Sequence, residues 1–309
     1  MTRIAVVGMG VWGRQLIRVF DAVSDVVLAC NRRDPAARDW LRGAYPRIRS
    51  GSSVDEALED PSIDAVVIAT PVDTHADLSR LALRAGKHVF VEKPLATTGS
   101  KAWGVVDAAA RAGRTLFVGH TFLYDAAYER LHDIVSLDPV ERVELSWLKY
   151  GTFGEPLAWN LLPHEVGLAI WLTGATPRLR IVERRSGETP TDRLVVDLDF
   201  GPGGPTGSIE IDRLHGDKVK TGRVRTRSGR EYLWRDGNLD ELHPDRPPER
   251  LVSHGEETLA REARAFLAAI STGRAARSDG RFGAAVVEVV QEVAEALEAA
   301  SPLAAESTR

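Results

Sequence analysis

Short apolar runs punctuate the first 120 residues at regular distances: 4–7, 26–30, 65–69, 88–91 and 115–118. Each stops at a turn or polar signal. Between them lie stretches of helical periodicity, including 11–20, 74–85 and 100–112. Strands alternating with helices at this spacing predict βαβ units and a parallel sheet. Right-handed crossovers then place helices on both of its faces.

After His120 the alternation stops. Residues 124–135 read as a helix, 143–150 as a strand of period two, and 160–172 as a helix with Asn160 and Pro163 near its start. Strand patterns then follow in series at 179–183, 194–200, 207–214, 218–226 and 231–234, with Gly201-Pro202-Gly203-Gly204-Pro205 and Ser228-Gly229 supplying turns. Strands without intervening helices predict a mostly antiparallel sheet with one open face. The proline-rich 244–248 reads as a surface loop, 256–270 and 281–299 as amphipathic core helices, and 301–309 as a frayed tail. The expected fold class is α/β. Residues 1–120 form a doubly wound parallel sheet, and 121–309 an α+β domain with a large, open, mostly antiparallel sheet.

The chain of 309 residues is long enough for two domains, and its 43% hydrophobic and 27% charged content is that of a water-soluble globular protein. A net charge of -4 argues against nucleic acid as a partner, which calls for a basic surface. Cys30 is the single cysteine, so no internal disulfide forms and a reducing compartment fits. No signal-peptide layout and no apolar run near the ~20 residues of a membrane span are present, so a cytoplasmic location is expected. The eight histidines show no metal-ligand spacing, and no metal is expected.

The first run enters Gly8-Met9-Gly10-Val11-Trp12-Gly13, a G-x-G-x-x-G turn opening a helix. Such a turn needs a tight bend, close backbone approach to a pyrophosphate, and close helix–strand packing. Gly8, Gly10, Val11, Trp12 and Gly13 are therefore candidates to bind a dinucleotide. About twenty residues on, where an acid would hold a ribose 2′-hydroxyl, stands Asn31-Arg32-Arg33. Asn31 can bond a ribose or phosphate, and Arg32 or Arg33 can clamp a 2′-phosphate, which favours NADP over NAD; the plain alternative is a solvated basic turn. Thr70 and Pro71 close the third run and line the same crevice. Asp73 or Thr74 is expected to cap the next helix, with His75 in its first turn and without a catalytic role. Lys93, in Val91-Glu92-Lys93-Pro94, stands at the carboxyl end of a strand, where open α/β sheets hold ligands. The proline behind it permits a cis peptide bond.

These residues together resemble the Gfo/Idh/MocA oxidoreductases. The resemblance rests on the glycine turn, Ala69-Thr70-Pro71 with His75, Glu92-Lys93-Pro94 and Gly119-His120, and it continues through Pro163-His164-Glu165 and the stretches 272–274 and 278–280. The Val-Trp-Gly form of the turn and His120-Thr121-Phe122-Leu123-Tyr124 are similar to a branch that acts on nucleotide sugars, as 3-dehydrogenases or 3-ketosugar reductases. The resemblance implies a Rossmann domain, an NAD(P) cofactor bound also by His75, Glu92 and Lys93, and a homo-oligomer joined through the second sheet. It implies hydride transfer at a sugar hydroxyl or ketone. Lys93 would polarise the reacting oxygen, with Glu92 orienting it or binding the nicotinamide ribose, and His164 would act as general base. Asn160 stands where many members have an aspartate; it can bond a substrate hydroxyl but cannot stabilise an imidazolium by charge, and it reads equally as a helix cap. Tyr124 and Lys149 are further candidate substrate contacts. The competing functions are a non-catalytic, sugar-responsive dinucleotide-binding regulator and a glycosidase that uses bound NAD transiently. Reductases of cyclic imines, tetrapyrroles or inositols are neighbours within the class.

Overall fold

A computed structural model of the chain describes residues 1–32, 34–151 and 154–300. The readings of Arg33 and of 301–309 lie outside the described residues. The chain divides into two compact units: Met1–Thr121 with Glu257–Val287, and Phe122–Glu256 with the chain from Glu288. The single division at 120/121 read from the sequence has no counterpart for the returning segment 257–287.

The first unit starts with β1 (Arg3–Val7), α1 (Val11–Val23), β2 (Asp25–Cys30), α2 (Pro35–Ala44), β3 (Arg49–Gly51) and α3 (Asp55–Leu58). It continues with β4 (Ala65–Ile68), α4 (Val72–Arg84), β5 (His88–Glu92), α5 (Gly99–Ala112) and β6 (Leu116–Gly119). The sheet order is β3-β2-β1-β4-β5-β6, parallel throughout. The chain winds outward from β1, then returns to lay β4 beside it. That reversal opens a crevice at the carboxyl ends of β1 and β4. Helix α2 and strand β3 were not expected. The strand is only Arg-Ser-Gly and carries no apolar signal. The helix is started by Asp34, whose side chain accepts from the Ala36 amide at 2.9 Å, with Pro35 next in line. Helix α4 corrects another reading. It begins at Val72 after Pro71, so neither Asp73 nor Thr74 caps it, and Thr74 Oγ1 turns back to the Pro71 carbonyl at 2.7 Å.

The second unit holds α6 (Ala126–Leu137), β7 (Val140–Leu148), α7 (Leu157–Thr173), β8 (Arg178–Arg185), β9 (Arg193–Asp199) and β10 (Thr206–Asp212). It continues with β11 (Val219–Thr226), β12 (Glu231–Arg235), β13 (Asn238–Leu242) and β14 (Glu249–Val252). Its sheet runs β14-β13-β12-β11-β7-β10-β9-β8 and is antiparallel except where β7 meets β10. Period-two alternation buries Leu194, Val196, Leu198, Ile209, Ile211 and Val224 on one face, which α6 and α7 contact. The other face carries ion pairs such as Arg193 with Glu183 and Glu210, and Arg225 with Glu141. Strands β13 and β14 flank the 243–248 stretch; their polar, charged pattern hid them from a hydrophobicity reading. Helix α7 starts at Leu157 with Pro156 before it, so Asn160 lies inside the first turn and is not a cap.

Helices α8 (Thr258–Thr272) and α9 (Gly280–Ala299) end the described chain. Phe266 of α8 explains why that helix belongs to the first unit. Its ring meets Phe20, Phe90 and Phe117 edge-on at centroid distances of 6.0, 5.7 and 5.6 Å. All four rings are fully buried, and such contacts add about 0.5–1.5 kcal/mol each beyond the area they bury.

Candidate functional site

The glycine turn follows from contacts inside the first unit. Gly8 has φ +101°, and a Cβ there would sit 2.3 Å from the Ala69 carbonyl oxygen. A Cβ on Gly13 would lie 2.0 Å from the Gly8 carbonyl oxygen, so α1 packs against the turn without room for a methyl group. Gly10 differs, with nothing within 4 Å of its Cβ position. Space is therefore open at the start of α1, where no side chain caps the helix and the first N–H groups lack intrahelical acceptors. An anion fits that cradle. Val11 is 85% exposed and Trp12 45%, yet the Trp12 indole is engaged: Nε1 donates to Glu92 Oε1 at 2.5 Å.

At the ends of β2 and β3, Arg38, Arg42, Arg49, Gly51, Ser52 and Glu56 are among the residues that line a cleft of about 430 Å³. Asn31 stands at its border: its amide donates to the Gly51 carbonyl at 3.1 Å, and its side-chain oxygen accepts from the Asp34 amide at 3.2 Å. Arg38 Nη1 donates to the Asn31 carbonyl at 2.7 Å. Arg32 is exposed. Glu56 accepts from the Ser52 and Ser53 amides, and the Ser52 bond is the first cause holding its carboxyl below the usual range.

Between β4 and β5, His75 is 2% exposed and its ring nitrogens lie 2.8 Å from the Pro94 and Thr70 carbonyl oxygens. The ring thus ties the end of β4 to the turn after β5, while burial pushes its pKa down. Thr70 Oγ1 meets Thr74 Oγ1 at 2.7 Å, and Pro71 is exposed. The Lys93–Pro94 peptide bond is cis. Glu92 is buried, and burial raises its carboxyl to about 7 against the pull of the Trp12 bond and of Lys93. His120 is buried as well, pushed down to about 3 by burial and then by the Lys93 charge. Both causes favour its neutral imidazole form.

In the second unit, His164 projects from α7 against two aromatic rings, Trp147 at 4.6 Å and Phe122 at 5.3 Å between centroids. Lys220, which pairs across the strands with Trp147, places its Nζ 3.9 Å from the centroids of both rings. It also bonds Glu165, the residue after His164. Both members of this pair are essentially without solvent contact, and burial pushes Glu165 up and Lys220 down while their contact opposes both movements. Lys149 Nζ lies 5.3 Å from the Trp147 ring on the same cluster. Asn160 donates to Glu155 at 3.3 Å, one turn before His164, and Tyr124 is 2% exposed.

Residues 2–120 match the family model described as an oxidoreductase family with an NAD-binding Rossmann fold. The solved structure of UDP-N-acetylglucosamine 3-dehydrogenase from Acidithiobacillus ferrooxidans superposes with a TM-score of 0.88, at 25% identity over 96% of this chain and 98% of that one. Residues 2–120 are therefore similar to the Gfo/Idh/MocA oxidoreductases in their NAD-binding Rossmann domain. By sequence, 4-carboxy-2-hydroxymuconate-6-semialdehyde dehydrogenase of a Sphingobium strain is 27% identical over 59% of the chain, and inositol 2-dehydrogenase 2 of Saccharopolyspora erythraea 32% identical over 55%. The matches span 62% and 53% of those two relatives.

The residues named from the sequence fall into two sets. The first unit gathers the glycine turn, Thr70, His75, Glu92 and Lys93. The second gathers His164 and Lys149 around Trp147. Sequence reasoning missed Arg38, Lys220, Glu165 and Glu262. Lys220 and Glu165 meet each other across 55 positions and Glu262 of α8 meets Thr121 across 141, whereas Arg38 lies seven positions from Asn31. Among the described residues no cluster of metal-ligating side chains occurs, and no helix is long and apolar enough to cross a membrane.

Proposed function

We propose that this chain is an NAD(P)-dependent oxidoreductase that moves a hydride between a nicotinamide and a hydroxyl or ketone carbon of a sugar or nucleotide sugar. The open cradle at Gly10, tied through Trp12 to Glu92 beside Lys93, is the observation that carries this reading. The amides of residues 11–13 would hold a pyrophosphate, with Thr70, Pro71 and Glu92 bordering the nicotinamide end. When bound, the cofactor supplies or accepts the hydride. The chain's share is the oxygen and its proton. Lys93, half-buried, would hydrogen-bond the reacting oxygen, and His164 would take the hydroxyl proton on oxidation or return it on reduction. Lys149 and Asn160 flank His164 as substrate contacts. A nucleotide sugar fits the likeness to UDP-N-acetylglucosamine 3-dehydrogenase.

NADP is the preferred cofactor in this reading. The strand-two end offers Asn31 and Arg32 where an acid would select NAD, and Arg38 and Arg49 line the adjoining cleft. Glu56 in that cleft is occupied by two backbone amides. A second copy of the chain would join across the exposed face of the eight-stranded sheet, which sedimentation would reveal as a dimer or larger species.

Thermal-shift screening with NADP(H) and NAD(H), alone and with hexoses, inositols and nucleotide sugars, is the first experiment. A hit is then followed by reduced-nicotinamide absorbance. Lys93→Met should lower turnover about 100-fold or more with unchanged cofactor affinity. Turnover at the wild-type rate would sink the assignment of Lys93, and a strong NAD preference would sink that of NADP.

A further inference from the structure

Behind Lys93 the first unit buries a second carboxyl group that the proposed chemistry does not use. Glu262 of α8 has no solvent exposure. Its Oε2 accepts from Thr121 Oγ1 at 2.9 Å, and its Oε1 is buried with no hydrogen-bond partner among the described residues. Glu92 lies close enough for its charge to act on Glu262. The Glu92 carboxyl itself rests over Gly119, its partner across β5 and β6: a Cβ there would meet Oε1, Cδ and Oε2 at 3.0–3.2 Å.

From β5 and its end come Glu92 and Lys93; from the stretch after β6, His120 and Thr121; from α1, Trp12. His120 is neutral, and its Nε2 is buried without a partner among the described residues. The Arg18–Glu257 pair, between α1 and the start of α8, is exposed and satisfies itself. Against one lysine stand two buried carboxyl groups. Ionising both would leave an excess negative charge out of water, with a carboxylate oxygen accepting nothing, which costs several kcal/mol per ion. One proton held on Glu262 removes that cost. Glu92 is the one that ionises, as pH rises through about 7, because it has the indole N–H and the Lys93 backbone amide as donors.

We propose that Glu262 is a positioning residue for Lys93: it holds its proton while Glu92 ionises and so leaves Glu92 as the single carboxylate beside that lysine. The assignment rests on the oxidoreductase reading only for what Lys93 does, and its test needs no substrate. Infrared spectra of the full chain at pH values above the Glu92 titration at about 7 should show a protonated-carboxyl C=O band that Glu262→Gln removes. In Glu92→Gln the same band should vanish at lower pH than in wild type, because the neighbouring charge that holds the proton is gone. Both variants keep the hydrogen-bonding shape. If neither folds, carboxyl-carbon NMR of the glutamate-labelled wild type should show one glutamate that remains in its acid form above the pH at which Glu92 ionises. Absence of the band, or its survival in Glu262→Gln, overturns the proposal. A band that titrates identically in wild type and Glu92→Gln also overturns it.

Discussion

Trp12→Phe tests the bond between the glycine turn and Glu92 in a way that depends on pH. The substitution keeps an aromatic ring and deletes the indole N–H that Glu92 Oε1 accepts. A hydrogen bond to a charged acceptor contributes about 1.5–3 kcal/mol, and only while the acceptor is charged. At 1.36 kcal/mol per pH unit, a loss of about 2 kcal/mol moves the Glu92 titration upward by roughly 1.5 units. In the wild type, burial already raises this carboxyl from 4.5 to about 7. Its folded value lies above its unfolded one, so its contribution to stability is complete below 4.5 and is lost as pH rises through about 7. In the variant the loss continues to roughly 8.5. Urea unfolding of the full chain should therefore give nearly equal stabilities at about pH 6 and a deficit of about 2 kcal/mol at about pH 9. An equal deficit at both pH values would show that Glu92 is not the titrating acceptor, and the reasoning would fail.

Three further outcomes follow from the same structure. Lys220→Met and Glu165→Leu should each destabilise by about 3–5 kcal/mol because each strands a buried charge, while the double replacement should be near neutral; additive losses in a double-mutant cycle would refute the pairing. Gly13→Ala places a methyl group against the Gly8 carbonyl and should lower stability by about 1–3 kcal/mol, whereas Gly10→Ala meets nothing and should leave stability intact yet weaken dinucleotide binding measured by reduced-nicotinamide fluorescence. Equal melting losses in the two glycine variants would contradict that. Cys30 is 2% exposed with its thiol pushed up to about 12 by burial, so it should resist a thiol reagent at about pH 8 until urea unfolds the chain; rapid native-state labelling would refute this.

How much of this was legible beforehand can be argued residue by residue. Runs of buried apolar residues gave away β1, β2, β4, β5 and β6, while β3, with its sequence Arg-Ser-Gly, gave no sign. Lys93 and the glycine turn were found because their chemistry is local: a lysine at a strand end, glycines at fixed spacing. Asn160 was misplaced as a possible cap because Pro156, four residues earlier, had already started the helix. Glu262 and Lys220 could not be found this way. Each reads as an ordinary charged residue until a partner 141 or 55 positions away is brought against it.

By itself, then, the sequence determined periodicity, turn chemistry and charge, which act over a few residues and suffice for the alternation of elements and the phosphate-binding turn. Only the tertiary structure decided which polar groups lose their water together. Burial is a property of the assembled core, and it is burial that makes Glu92 titrate near neutrality, holds Lys220 against Glu165, and leaves Glu262 with an oxygen that no donor among the described residues reaches.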